Sequence, residues 1–215
     1  MTISYRRFFA HHYDAFMAPV ERRSLGEVRR SLLARTSGRI LEIGAGTGAN
    51  LPFYPTGLQL WVSEPDREMR RELKLKLQGL RQASPTLIAG ASEHLPLPTS
   101  SMDFVVATLV LCSVQDPDLA SREIRRVLRP GGWLLFIEHV RSQGAWGPWQ
   151  DRLQPAWSRV GCGCHPNRET VAILRRAGFE LDDLQEVDPF QGLPRAARFL
   201  TGIVRPFIRG AARRI

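Results

Sequence analysis

Two groups of residues in this 215-residue chain could do chemistry: a glycine-dense turn flanked by carboxylates, and histidines and cysteines near the ends of apolar runs. The turn is Gly44-Ala45-Gly46-Thr47-Gly48, preceded by Leu41-Glu42-Ile43. A strand running into such a turn and on toward a helix sets a ligand's polar groups against bare peptide N–H groups. That geometry predicts a nucleoside-type ligand. Gly44, Gly46 and Ala49, with Glu64 further on, also satisfy the dinucleotide fingerprint, so NAD is a rival. Glu42 favours a different ligand, because a carboxylate at the strand end repels a pyrophosphate and attracts an ammonium or sulfonium. Glu64, closing the next apolar run, can accept both hydroxyls of a ribose and would resist a 2′-phosphate. A ligand with a ribose, a cationic amino-acid portion and no phosphate is S-adenosylmethionine.

His139 ends a later apolar run, at the sheet edge where open α/β folds bind ligands, and is the first candidate proton acceptor. Orienting a loop is its alternative role. His165, in a glycine-rich stretch, is the second candidate. Cys112 follows an apolar strand and is expected to pack in the core. Cys162-Gly-Cys164-His165 resembles a metal-binding spacing, but a zinc site needs a fourth ligand, usually from a second pair, and none stands elsewhere in the sequence. No metal is expected, and Cys162 and Cys164 read as structural or exposed. Three cysteines in a chain of this size argue against a disulfide framework and for a reducing cytosol.

These residues need a scaffold, and the hydrophobic pattern supplies one. Val-, Ile- and Leu-rich runs alternate with helical periods, as in a mostly parallel sheet covered on both faces. Strands are predicted at 39–43, 58–63, 86–89, 103–109 and 133–139, and helices at 20–35, 66–78 and 116–128. Arg129-Pro130-Gly131-Gly132 stops the last of these helices and turns the chain into a strand. Residues 144–166, rich in Trp, Gly, Pro and Cys, lack periodicity and read as an insertion or lid. A helix at 168–177 and a strand at 179–187 follow, and 203–215 reads as a last strand with Pro206 near its start or at an edge. Phe8, Phe9, Tyr13 and Phe16 recur at helical spacing near the N-terminus. A single domain is expected, with residues 1–35 as a helical lid and 144–166 and 188–203 as insertions on the substrate side.

In order and spacing, residues 20–180 resemble class I S-adenosylmethionine-dependent methyltransferases. The resemblance is carried by Leu41 through Gly48, by Glu64, by Ala91-Ser92-Glu93 and by Val127-Leu128-Arg129-Pro130-Gly131-Gly132. It implies a Rossmann-like sheet of seven strands, mostly parallel, with an antiparallel last strand beside the fifth and helices on both faces. It also implies cofactor contacts from Glu42, Gly44, Ala45, Gly46, Thr47, Gly48 and Asn50. Glu64 would meet the ribose and Ala91 and Ser92 the adenine, with Ser92 or Glu93 standing in for an adenine contact, and Pro65, Thr108 and Leu109 are further cofactor contacts. Ala91 departs from the aspartate that many members carry.

A narrower resemblance, to small thiol S-methyltransferases, lies in Gly46 through Pro55, Thr108 through Val114, Glu138-His139-Val140 and Gly163-Cys164 with Asn167 through Thr170. It implies a small, lipophilic methyl acceptor with thiol sulfur favoured. Phospholipid N-methyltransferases and quinone-precursor C-methyltransferases share much of the same core and stand as alternatives.

The formal charge of +9, nearly all arginine, predicts attraction to anionic partners. A basic nucleic-acid-binding protein is the rival of another class, but no aromatic–basic stacking motif or recognition-helix pattern supports it. An anionic membrane surface is the other partner considered, because the stretch 193–215 holds six arginines and no acid among apolar residues. Arg6, Arg7, His11 and His12 break any secretory signal, and the longest apolar run is about half of a membrane span. A cytoplasmic chain, at most peripheral to a membrane, is expected.

Overall fold

The runs predicted as strands pair into one seven-stranded sheet in the computed structural model, which describes residues 3–79, 85–191 and 201–215. Two helices come first, α1 (Ile3–Val20) and α2 (Gly26–Leu33), joined through a π-helical turn at Glu21–Leu25. Then follow β1 (Arg39–Ile43), β2 (Gln59–Ser63), α3 (Arg67–Gln78), β3 (Thr86–Ile88), β4 (Met102–Thr108), α4 (Pro117–Val127) and β5 (Leu128–His139). The chain closes with α5 (Gly147–Val160), α6 (Thr170–Arg176), β6 (Phe179–Val187) and β7 (Phe207–Arg214). Strand order is β3-β2-β1-β4-β5-β7-β6; the first five strands are mutually parallel, and β7 runs antiparallel between β5 and β6.

Both faces of the central strands are buried, which explains their near-continuous apolar sequence. Successive side chains alternate between two cores. Leu134 and Phe136 join Ile124 and Val127 of α4 on one face, while Leu135 and Ile137 join Leu25, Leu32 and Leu33 on the other. A third, smaller cluster seats Leu73 and Leu77 of α3 against Val62. Asp116 caps α4 by accepting from the Leu119 amide, and Asp66 caps α3 by accepting from the amides of Glu68 and Met69.

The N-terminal helical path begins at Ile3 and carries the aromatic spacing of Phe8, Phe9, Tyr13 and Phe16. Two features differ from the sequence expectation. The strand β5 begins at Leu128, so Arg129 to Gly132 are an irregular entry into it, with Gly131 at φ +75°. Within the aperiodic stretch 144–166 lies the 14-residue helix α5. Its periodicity is hidden because Trp149, Leu153 and Val160 are exposed, whereas the buried side chain is Gln150. That amide accepts from the Ser142 amide and donates to the carbonyls of Ile203 and Arg205, pinning the helix by polar contacts. Most of the expected 188–203 insertion, with Phe199 and Leu200 of the basic tail, lies outside the described residues. No described helix is long and apolar enough to cross a membrane.

Gly210, in the middle of β7, makes room for a ring. A Cβ there would stand 2.7 Å from Cζ of Phe136. Gly210→Ala is therefore expected to cost about 1–3 kcal/mol by overpacking, which lowers the melting temperature by several degrees. Phe136→Leu in the same chain should recover part of that loss; an unchanged melting temperature for Gly210→Ala alone would count against this packing.

Candidate active site

Strand order reverses between β1 and β4, and the turns leaving these two strands face each other there. The turn after β1 is the glycine loop. Gly44 has φ +55°, and a Cβ on it would lie 2.7 Å from the methyls of Val110, so the protein itself forbids a side chain there. Gly46 also has positive φ, yet a Cβ on it would meet only the Gly44 carbonyl at 4.0 Å. Beyond Gly46 the space is open, as a ligand pressed against bare backbone requires. The Ala45 amide donates to the Ser63 carbonyl, and the Gly46 amide donates to Glu64 Oε2 at 2.8 Å, which ties the loop to the end of β2.

Glu64 accepts a second bond, from the Asp66 amide at 2.7 Å, and is nearly fully buried. Burial pushes its carboxyl above the ordinary range, against the pull of these amides. Each oxygen still has a lone pair to offer. These acceptors therefore fit the hydroxyls of a ribose edge, and the open face of Gly46 leaves room for the remainder of S-adenosylmethionine. The Pro65 carbonyl accepts from Arg70 Nη1. Thr47 Oγ1 donates to Asp14 Oδ1 at 2.6 Å, and Asp14 pairs with Lys76, so α1 is fastened over the loop from both sides.

Glu42 is engaged by the protein itself. It is 2% exposed, and its two oxygens accept from Asn50 Nδ2 at 3.0 Å and Tyr54 Oη at 2.9 Å. Asn50 also donates to Thr108 Oγ1 at the end of β4, and its own Oδ1 accepts from Arg29 Nη1 at 2.7 Å. Arg29, 3% exposed, donates further to Thr108 Oγ1 and, through Nε and Nη2, to Glu21. The sequence reading missed Arg29 and Tyr54. A signal existed for Arg29, since it shares a helical stripe with Leu25, Leu32 and Leu33. Burial pushes the Glu42 carboxyl up to about 7, while the Tyr54 and Asn50 hydrogen bonds and Arg29 pull it down. Tyr13 on α1 is pushed up to about 12, chiefly by burial and against the pull of Arg29.

The turn after β4 hangs on a carboxylate that was not among the expected site residues. Glu138, fully buried, accepts from the amides of Val110, Leu111 and Cys112 at 2.9, 2.8 and 3.2 Å. Leu109 begins the turn at φ +60°, its amide donating to the Ile137 carbonyl. Arg168 donates to the carbonyls of Leu111 and Val114 from the other side. A glutamate inside the apolar run 133–139 was the available signal.

The expected adenine contacts fall at the end of β3. Ser92 is buried and Ala91 half-buried, but Glu93 is occupied, accepting from the amides of Gln115 and Asp116. His139 and His165 reach the same edge as the turn after β4, the second through its amide, which donates to the Cys112 carbonyl. His165 Nδ1 lies 2.6 Å from Gln154 Nε2, and burial lowers its proton affinity. His139 packs edge-on against Phe207, with Nδ1 3.3 Å from Cys164 Sγ.

Comparison with known proteins agrees with this geometry. Residues 41–136 match the family model described as a methyltransferase domain. The chain is 37% identical over 193 residues to human thiol S-methyltransferase TMT1B, covering 84% of this chain and 79% of that protein. It is 35% identical over 206 residues to human thiol S-methyltransferase TMT1A, covering 93% and 80%. Among solved structures, a SAM-dependent methyltransferase from Thermotoga maritima superimposes with a TM-score of 0.72 over the whole of both chains at 21% identity, a likeness of fold.

The Glu42 network sets a pH test. Its folded carboxyl titrates near 7 against an ordinary 4.5, so between those values the folded state holds a proton that the unfolded state has lost. Stability from this group therefore falls as pH rises through that window, by up to about 1.4 kcal/mol per unit. Glu42→Gln removes the titration. In melts without ligand, its melting temperature relative to the parent should rise between about pH 5 and about pH 8. A difference that does not move with pH would assign the proton elsewhere.

Proposed function

The chain belongs to the class I S-adenosylmethionine-dependent methyltransferases, and within that family we propose that it methylates the sulfur of a small, lipophilic thiol. The observation that carries this reading is the match, over 84% of the chain, to a protein named as a thiol S-methyltransferase. The chemistry of the edge supports it. Glu42, Glu64, Glu93 and Glu138 each accept hydrogen bonds from the chain's own amides or side chains, so each is engaged in holding a neighbouring turn. A thiol needs little help, because at an ordinary pKa near 8.5 it is partly thiolate at neutral pH.

When bound, S-adenosylmethionine supplies a methyl carbon already activated by its sulfonium. The residues proposed to hold it are the backbone of Gly44 to Gly48, with Glu64 on the ribose and Ser92 beside the adenine. Glu42 acts from behind the loop, through its charge and through Asn50. In-line displacement gains most from alignment, and the chain supplies that by fixing two turns on opposite sides of one crevice. Helix α1, with Tyr13 half-buried and Asp14 on Thr47, serves as the lid that excludes water. His139 and His165 stand on the acceptor side.

Purified protein incubated with methyl-labelled donor should yield labelled thioethers from small aliphatic thiols, at a rate rising with pH toward the thiol pKa. Labelled phosphatidylethanolamine or phenol products without any thioether would overturn the acceptor class. Glu64→Ala should weaken binding of S-adenosylhomocysteine by about 10- to 100-fold in calorimetry, the equivalent of losing hydrogen bonds to a charged group. Retained affinity would remove the ribose assignment.

A further inference from the structure

Three donor atoms from distant parts of the chain meet behind the acceptor edge. Cys112 comes from the turn after β4, His139 from the end of β5, and Cys164 from the turn after α5. Cys164 Sγ lies 3.8 Å from Cys112 Sγ and 3.3 Å from His139 Nδ1, and all three donor atoms fall within 4.8 Å of one another. Both cysteines are free thiols, 1% and 7% exposed.

The two separations made by Cys164 are those of a coordination polyhedron. With zinc–sulfur bonds of about 2.3 Å and zinc–nitrogen bonds of about 2.0–2.1 Å, tetrahedral edges come to roughly 3.8 Å between sulfurs and roughly 3.5 Å between sulfur and nitrogen. A disulfide would need the sulfurs at about 2.05 Å. We propose that Cys112, His139 and Cys164 form a zinc site with three protein ligands, whose fourth position takes the acceptor thiol as its thiolate.

The surroundings are those of a built site. The Cys112 amide is held by Glu138 and its carbonyl by the His165 amide. Gly163 at φ +97° shapes the turn that presents Cys164, whose amide donates to the Gly161 carbonyl. Phe207 fixes the His139 ring. Such outer contacts orient ligands before the ion arrives. Two thiolates and an imidazole select a soft, borderline cation such as Zn²⁺ over Mg²⁺ or Ca²⁺. Among the described residues no fourth His, Cys, Asp or Glu joins the group, and three protein ligands with an open position is the pattern of reactive zinc rather than structural zinc. The sequence spacing gave the opposite expectation because it looks for a second nearby pair, whereas the fold draws the partners from 52 and 25 residues away.

The role of the fourth position rests on the thiol-acceptor reading. On coordination the thiol gives its proton to solvent. Its sulfur lone pair then forms the new S–CH₃ bond as the donor's S⁺–CH₃ bond breaks, leaving a thioether and S-adenosylhomocysteine. Zinc keeps its oxidation state throughout.

The test uses the full chain, stripped with chelator under reducing, oxygen-free conditions and titrated with Co²⁺ as a spectroscopic probe, then with Zn²⁺. Expected are saturation at one equivalent, thiolate-to-cobalt charge-transfer absorption with intense tetrahedral ligand-field bands, and displacement by Zn²⁺. Cys112→Ser, Cys164→Ser and His139→Ala should each weaken binding about tenfold or more, whereas Cys162→Ser should leave it unchanged. A small aliphatic thiol added to the Co²⁺ form should shift the bands. Absence of stoichiometric binding, equal loss in Cys162→Ser, or a Cys112–Cys164 disulfide in the isolated protein would overturn the site. A spectrum that thiols do not move, or full thiol methylation by metal-free protein, would overturn the role of the fourth position and leave the thiol reading intact. Metal bound as expected with no thiol methylated would instead sink the acceptor reading.

Discussion

The buried guanidinium of Arg29 is the contact on which the rest of the crevice depends. It donates hydrogen bonds to Glu21, Asn50 and Thr108 at once, and so joins the N-terminal helices, the glycine loop and the end of β4. A guanidinium with five fixed donors suits this meeting point, where one flexible ammonium would satisfy fewer partners. Taking such a charge out of water costs several kcal/mol, offset only when its partners are complete. The arrangement therefore holds as a unit, and its value is positional: it sets where the loop after β1 stands relative to the turn after β4.

The same device recurs along the sheet edge. Glu42, Glu64, Glu93 and Glu138 stand at or just past the carboxyl ends of β1, β2, β3 and β5, and each accepts from a neighbouring turn or side chain. Loops that must leave open space for a ligand cannot be held by packing against that ligand's place. Carboxylates reaching up from the strands hold them from below instead. Burial raises the proton affinity of Glu42, Glu64 and Glu138, and each is engaged as an acceptor of hydrogen bonds from the chain itself. An acceptor that ionises readily by itself suits such a crevice.

On the acceptor side the fold gathers soft, polarisable groups. The turn after α5 reaches the turn after β4 through the His165 amide on the Cys112 carbonyl, while Arg168 clasps the same turn. Methyl transfer to sulfur and coordination by sulfur call for related surroundings: little water, fixed backbone and a nearby cation. The proposed metal site and the proposed acceptor class share those requirements but rest on separate observations, one on interatomic distances and one on likeness to named relatives.

The sequence by itself determined the sheet and the glycine loop. Doubly buried strands need unbroken apolar runs, and Gly44 and Gly46 sit at positive φ where other residues are strained, so both features are local and leave a local trace. Helix α5 left none, because its anchor is a polar side chain and its apolar residues face outward. Arg29 and Glu138 were visible only as misfits, a charge in an apolar stripe and a carboxylate in an apolar strand. What tertiary structure alone decided is which partners those charges meet, that Asn50 and Tyr54 are the donors to Glu42, and that Cys112, His139 and Cys164 converge. Strand order sets such contacts by bringing together residues far apart in the chain, and no spacing along one dimension encodes a distance across three.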